Sequence, residues 1–117
     1  MNEGVKCLRV RSLSTTRDFI DVRDVGCALM KVAARGEPDF VYNVGSGIET
    51  PIQHVLECLL ESSGRRGQST LEAVPCRASD VPRHCANVTR LCALGFQCRY
   101  TLEETLASIL AYYRDLK

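Results

Sequence analysis

The strongest constraint on this chain is that its hydrophobic spacing keeps switching period. Cys7-Leu8-Arg9-Val10 alternates apolar and polar residues, the two-residue rhythm of a short strand. Asp21 then caps a stretch in which Val22, Val25, Leu29 and Val32 recur at three- and four-residue steps, the spacing of one helix face, until Gly36 and Pro38 end it. Phe40-Val41-Tyr42-Asn43-Val44 is a β-prone run closed by the sharp turn Gly45-Ser46-Gly47. Thr50-Pro51 predicts a helix start with Thr50 as cap and Pro51 as first helical residue. Ile52, Val55, Leu56, Leu59 and Leu60 form the expected buried stripe of that helix, and Gly64 its stop. Thr70 to Val74 reads as a strand, and Asn87 opens a short helix through Leu94, ended by Gly95. Thr101-Leu102-Glu103-Glu104 is a capping box, in which Thr and Glu satisfy the free N–H groups of a last helix reaching about Leu116. Strand, helix, strand, helix, strand, helix, helix is the order of an α/β fold with some parallel pairing.

A chain of 117 residues suits one small domain, here 1–117, with a single core. Hydrophobic residues at 45% and charged residues at 25% exclude a disordered or fibrous class. A formal net charge of +1 gives no basis for nucleic-acid or acidic-membrane binding as a bulk property. No apolar run approaches the ~20 residues needed to span a bilayer, and the start Met-Asn-Glu-Gly-Val-Lys predicts no signal peptide. The expected setting is cytoplasmic, with the seven cysteines as reduced thiols, because an odd number cannot all pair within one chain. A zinc site from Cys76, His84, Cys85, Cys92 and Cys98 has irregular spacing and no Cys-x-x-Cys pair, so the sequence reading assigns no metal.

Three segments, in this order, carry a resemblance. Arg17-Asp18-Phe19-Ile20-Asp21-Val22-Arg23-Asp24-Val25 resembles the Arg-aromatic-x-x-Val-x-Asp stretch of extended short-chain dehydrogenase/reductases. Val41-Tyr42-Asn43-Val44-Gly45-Ser46-Gly47 is similar to their Tyr-Asn-x-Gly-x-Gly strand and turn. Arg77-Ala78-Ser79-Asp80-Val81, Asn87-Val88-Thr89-Arg90-Leu91 and Leu94-Gly95-Phe96 resemble their Arg-x-x-Asp/Glu motif and the helix end after it. The Tyr100 to Leu106 segment resembles the family's last helix, so the likeness runs from about Leu8 to Arg114. The wording is most similar to the NAD-dependent epimerase/dehydratase branch, nearest the GDP-mannose 4,6-dehydratases and GDP-6-deoxy-4-keto-mannose reductases. The resemblance implies the C-terminal portion of a Rossmann-type enzyme, with an incomplete sheet and a nucleotide sugar (GDP- or another NDP-hexose) as partner.

It also implies roles for three residues. Arg17 and Arg77 would contact the diphosphate of the nucleotide sugar, and Asp80 the ribose hydroxyls. The chemistry suits the residue types: a guanidinium offers a planar fork of donors to phosphate oxygens, and a carboxylate can accept two hydroxyl hydrogen bonds from a vicinal diol. The alternative reading of the same residues is structural: Arg17 paired with Asp18 or Asp21, and Arg77 with Asp80, as surface ion pairs. Asp24 is explained by the helix dipole, Tyr42 is expected to fill core, Asn43 to bond backbone near the turn, and His54 and His84 receive no role.

The family's NAD(P) loop, Gly-x-x-Gly-x-x-Gly, is absent from the sequence. Tyr113 and Lys117 have Tyr-x-x-x-Lys spacing, but in the family's last helix rather than upstream, where the catalytic pair belongs. The expectation is therefore no catalytic residue and no cofactor held by this chain alone, with NAD(P) serving the complete enzyme. Open strand edges and uncovered helix faces would favour a homo-oligomer or association with the missing N-terminal part. The alternative is a non-enzymatic interaction module that associates with a full-length relative.

Overall fold

The computed structural model describes residues 7–11, 13–64, 70–74 and 81–116. Strand β1 (Cys7–Arg11) pairs in parallel with β4 (Thr70–Val74), Cys7 facing Thr70 and Arg11 facing Val74. A separate antiparallel pair joins β2 (Thr16–Asp18) to β3 (Glu49–Pro51), with Arg17 opposite Thr50. On its other edge β2 holds a loop strand: the Thr16 N–H donates to the Pro82 carbonyl at 3.0 Å, and the His84 N–H donates to the Thr16 carbonyl at 3.2 Å. The α/β class and the parallel pairing stand as expected.

Helix α1 (Val22–Arg35) begins as its sequence directs, the Asp21 carboxylate accepting from the Arg23 N–H at 2.8 Å. Its buried face is different from the expected stripe. Asp24 and Ala28 point inward, whereas Val22 is 79% exposed and Leu29 58%. Ala28 packs with Leu91 and Phe96, flanked by Ile20, Val32, Val44 and Val88. This is one small core; a second contact presses α2 (Ile52–Ser62) against α4 (Leu102–Asp115), where Leu60, Leu106 and Leu110 are buried.

Two other expectations change. Residues 40–44 form no ladder with any described strand, and Phe40 and Val41 lie exposed. A β-prone run becomes a strand only when another backbone presents its hydrogen-bonding edge, and among the described residues none does. Thr50 and Pro51 belong to β3, so α2 starts at Ile52 with no side-chain cap. Its opening N–H groups are satisfied at long range instead: Ile52 donates to the Thr15 carbonyl at 3.0 Å and Gln53 to the Leu13 carbonyl at 3.1 Å.

The short helix α3 spans Thr89–Ala93, two residues inside the expected start, because the Asn87 side chain accepts from the Thr89 N–H in the turn before it. Gly95 follows with φ +93°, a left-handed residue suited to glycine. The Thr101–Glu104 capping box of α4 is present in both directions. The radius of gyration is 17.0 Å, against about 13 Å for a compact chain of this length. The chain is a slab 18 Å thick along its shortest axis, with Leu29, Met30, Ile109, Tyr112 and Tyr113 exposed.

Candidate functional site

The site is organised around a residue that sequence reasoning treated only as an ion-pair partner. Asp18, at the end of β2, reaches into the 45–47 turn. Its carboxylate accepts from the Ser46 N–H at 2.8 Å, the Ser46 hydroxyl at 2.6 Å and the Gly47 N–H at 2.9 Å. It also accepts from the Ala86 N–H at 3.2 Å, tying a third segment to the other two. Burial pushes the Asp18 carboxyl up, but the Ser46 hydroxyl and the three amides outweigh it and hold the group below its ordinary range.

This cradle explains the glycines. A Cβ on Gly45 would lie 2.7 Å from Ala86 Cβ and 2.8 Å from Asp18 Oδ2, and Gly47 has φ +75°. The pattern is therefore a carboxylate nest. The Ser46 and Gly47 amides are already given to Asp18, and strand β3 follows the turn. A dinucleotide pyrophosphate needs free amides at a helix N-terminus, so this turn does not fit NAD(P).

Beside the nest, Glu49 on β3 takes a two-pronged ion pair from Arg83, at 2.6 and 2.7 Å, and a hydrogen bond from the Thr16 hydroxyl at 2.6 Å. The Arg83 guanidinium, then the Thr16 hydroxyl, bring the Glu49 carboxyl down to about 2. This clamp fixes the chain that follows the Arg77–Asp80 motif onto β3, where Glu49 also takes the Thr16 hydroxyl of β2.

Arg17 sits on β2 between these features, half-buried, with Nη1 donating to its neighbour's carbonyl on Thr16 at 2.6 Å. The alternative reading of Arg17, a surface ion pair with Asp18 or Asp21, is not met among the described residues: the Asp18 carboxylate is taken up by the 45–47 turn and Ala86. Asp21 receives Arg23 at 2.9 and 2.8 Å and the Thr105 hydroxyl at 2.7 Å. The hydrogen bonds from Arg23 hold Asp21 well below the usual carboxylate range, and Arg23 lies 3.7 Å over the Tyr100 ring. Arg77 and Asp80 lie outside the described residues, as does Cys76. Pro82 and His84, two and four residues beyond Asp80, are hydrogen-bonded to Thr16, next to Arg17.

A cleft of about 440 Å³ opens on this side of the molecule, lined by Phe19, Ser46, Ile48, Thr50, His54 and the 98–103 segment. Its wall is held by Asp24, which is 1% exposed and accepts from the Arg99 N–H at 3.0 Å and the Tyr100 N–H at 3.2 Å. The helix dipole alone does not account for Asp24; it is a buried anchor for the loop entering α4. Tyr42 is half-buried, its hydroxyl accepting from the Glu37 N–H at 2.9 Å, and the Asn43 amide donates to the Asn87 carbonyl at 3.2 Å. Tyr113 is exposed on α4, and Lys117 lies outside the described residues. The signals for Asp18 were present in the sequence, an acidic residue on the strand and two glycines around a serine, but nothing local joined them.

Comparison with known proteins gives a consistent answer. No family model matches the chain. A low-salt glycan biosynthesis protein, Agl12 of Haloferax volcanii, is 33% identical over 86% of this chain and 32% of its own length. GDP-6-deoxy-D-mannose reductase of Pseudomonas aeruginosa is 29% identical over 95% of this chain and 38% of its own. The structure of RMD from Pseudomonas aeruginosa, complexed with NADPH, superposes with a TM-score of 0.82 at 32% identity, over 95% of this chain and 37% of that one. The structure of dTDP-glucose 4,6-dehydratase from Bacillus anthracis, in complex with NAD, gives a TM-score of 0.79 at 25% identity, over 97% and 36%. The chain thus spans 32–38% of the length of these relatives. Among the described residues no helix is long and apolar enough to cross a membrane. With the motifs in register and the α/β frame superposing at this level, the chain belongs to the NAD(P)-dependent epimerase/dehydratase family of extended short-chain dehydrogenase/reductases.

Proposed function

We propose that this chain is the C-terminal, nucleotide-sugar-holding part of a GDP-mannose-type dehydratase or reductase, and that turnover needs residues outside it. Arg17 and Arg77 bind the diphosphate, and Asp80 accepts from the ribose hydroxyls. NAD(P) binding and proton transfer belong to the rest of the enzyme. The observation that carries this reading is the attachment of the 82–84 segment to β2 at Thr16, which keeps the chain leading out of the Arg77–Asp80 motif beside Arg17. The Asp18 nest and the Glu49–Arg83 clamp leave Arg17 without an acidic partner among the described residues, its guanidinium turned onto the Thr16 carbonyl. Relatives with GDP-, dTDP- and CDP-sugar names share the frame, so the base is chosen elsewhere.

The test is a calorimetric titration with GDP, GDP-mannose and UDP. Binding of GDP-mannose that weakens at least tenfold in Arg17→Ala, and again in Arg77→Ala, supports the assignment; each lost charge-assisted contact is worth on the order of 1.5–3 kcal/mol. Absence of heat at millimolar ligand removes it. The alternative, an interaction module for a full-length relative, draws on the exposed Val22, Leu29 and Met30 face of α1. It predicts that the double arginine variant still associates with that relative.

A further inference from the structure

One cluster of metal-ligating side chains stands apart from the nucleotide-sugar residues. His54 and Cys58 lie four residues apart on α2, hence on one face of the helix. Glu103 comes to the same place from the first turn of α4. Their ligand atoms all lie within 4.8 Å of one another, the one such group among the described residues.

The geometry points to a zinc-type divalent cation bound by His54 Nε2, Cys58 Sγ and a Glu103 carboxylate oxygen, with water as fourth ligand, bridging α2 to α4. The Cys58 Sγ to His54 Nε2 separation is 3.6 Å. A zinc ion about 2.05 Å from nitrogen and about 2.3 Å from sulfur, at the tetrahedral angle, sets those two atoms about 3.6 Å apart. The pair is therefore already at ligand spacing, and the carboxylate closes the third edge by side-chain rotation. Mixed nitrogen, sulfur and oxygen donors suit zinc rather than calcium or magnesium, which take oxygen.

The surroundings favour a cation. Glu57 and Glu61 lie on the same helix as His54 and Cys58, so the group sits among carboxylates that attract a positive ion. Binding forms the metal–sulfur bond and releases the thiol proton to water. His54 and Glu103 also line the cleft, so the open water position borders the cavity beside the Asp18 nest. This set shares no residue with the irregular cysteine group weighed from sequence, whose Cys85, Cys92 and Cys98 are free thiols.

The test is titration of the untagged, fully reduced chain with Co²⁺. One equivalent should give a near-ultraviolet thiolate charge-transfer band and the intense visible absorption of a four-coordinate ion, both abolished by Zn²⁺. Cys58→Ser should remove the charge-transfer band, and His54→Gln and Glu103→Gln should each weaken binding at least tenfold. Cys27→Ser and Cys92→Ser should change neither. Zn²⁺ should raise the melting temperature of the parent chain but not that of Glu103→Gln, whose fold is checked by circular dichroism. A band that survives Cys58→Ser, or the absence of any thiolate band, overturns the site and leaves His54 and Cys58 as a hydrogen-bonded pair.

Discussion

Removing the Asp18 carboxylate tests whether the site is assembled as described. Asp18→Ala strands the N–H groups of Ser46, Gly47 and Ala86 and the Ser46 hydroxyl, all within 3.2 Å of the carboxylate. A hydrogen bond to a charged group contributes about 1.5–3 kcal/mol when well shielded. The nest is only half-buried, so water recovers part of this, and a value near 1 kcal/mol for each of the three amides is appropriate. The expected loss is then about 3 kcal/mol, a large share of the roughly 5–15 kcal/mol that holds a domain together. With a urea slope of about 2 kcal/mol/M, the midpoint falls by roughly 1.5 M at unchanged slope. The assay is urea unfolding followed by far-ultraviolet circular dichroism. Asp18→Asn keeps the shape and one acceptor oxygen but turns an NH₂ toward a backbone N–H, so it should recover only part of the loss. A midpoint shift under about 0.5 M for Asp18→Ala would mean that the 45–47 turn holds itself, and that Asp18 is a passenger.

Other outcomes follow from the same geometry. Asp24→Ala strips two amides of their acceptor at a site 1% exposed; at about 1–3 kcal/mol each, it should lower the melting temperature by roughly 10 °C or more, with Asp24→Asn milder. Gly45→Ala drives a Cβ to within 2.7 Å of Ala86 and should destabilise by about 1–3 kcal/mol. Gly64→Ala meets no atom within 4 Å and bears only the strain of its φ of +72°, about 1–2 kcal/mol. Glu49 has a folded pKa of about 2 against an ordinary 4.5, so its contribution is whole above pH 4.5 and lost as pH falls toward about 2. Asp21 is lowered in the same direction, and thermal melts through that acid range should show Glu49→Gln flattening part of the decline.

Features decided within a few residues were legible in the sequence. The Asp21 cap, the Thr101–Glu104 box and the left-handed Gly95 each depend on neighbours at most four residues away, and each is present. What failed was whatever needed a distant partner. Thr50-Pro51 has the local form of a helix start, yet its place opposite Arg17 and Thr16 makes it strand, and the carbonyls of Leu13 and Thr15 replace the cap. Residues 40–44 have strand composition but no strand beside them among the described residues. Asp18 and Asp24 are acidic residues whose value lies in amides 28 to 76 positions away, a relation that no window on the sequence contains.

The misread face of α1 carries a positive lesson. A helix whose apolar residues recur at helical spacing is expected to bury them, yet this one turns Asp24 and Ala28 to the core and leaves Val22, Leu29 and Met30 in water. The inward positions are chosen by close approach, since Ala28 is small enough to admit Leu91 and Phe96 against the helix, and Asp24 serves the 99–100 backbone. The outward stripe has no such reason among the described residues. Together with a radius of gyration of 17.0 Å, where about 13 Å would be compact, it has the form of a surface shaped for contact beyond these residues. That fits a chain spanning about 37% of a relative of the same fold.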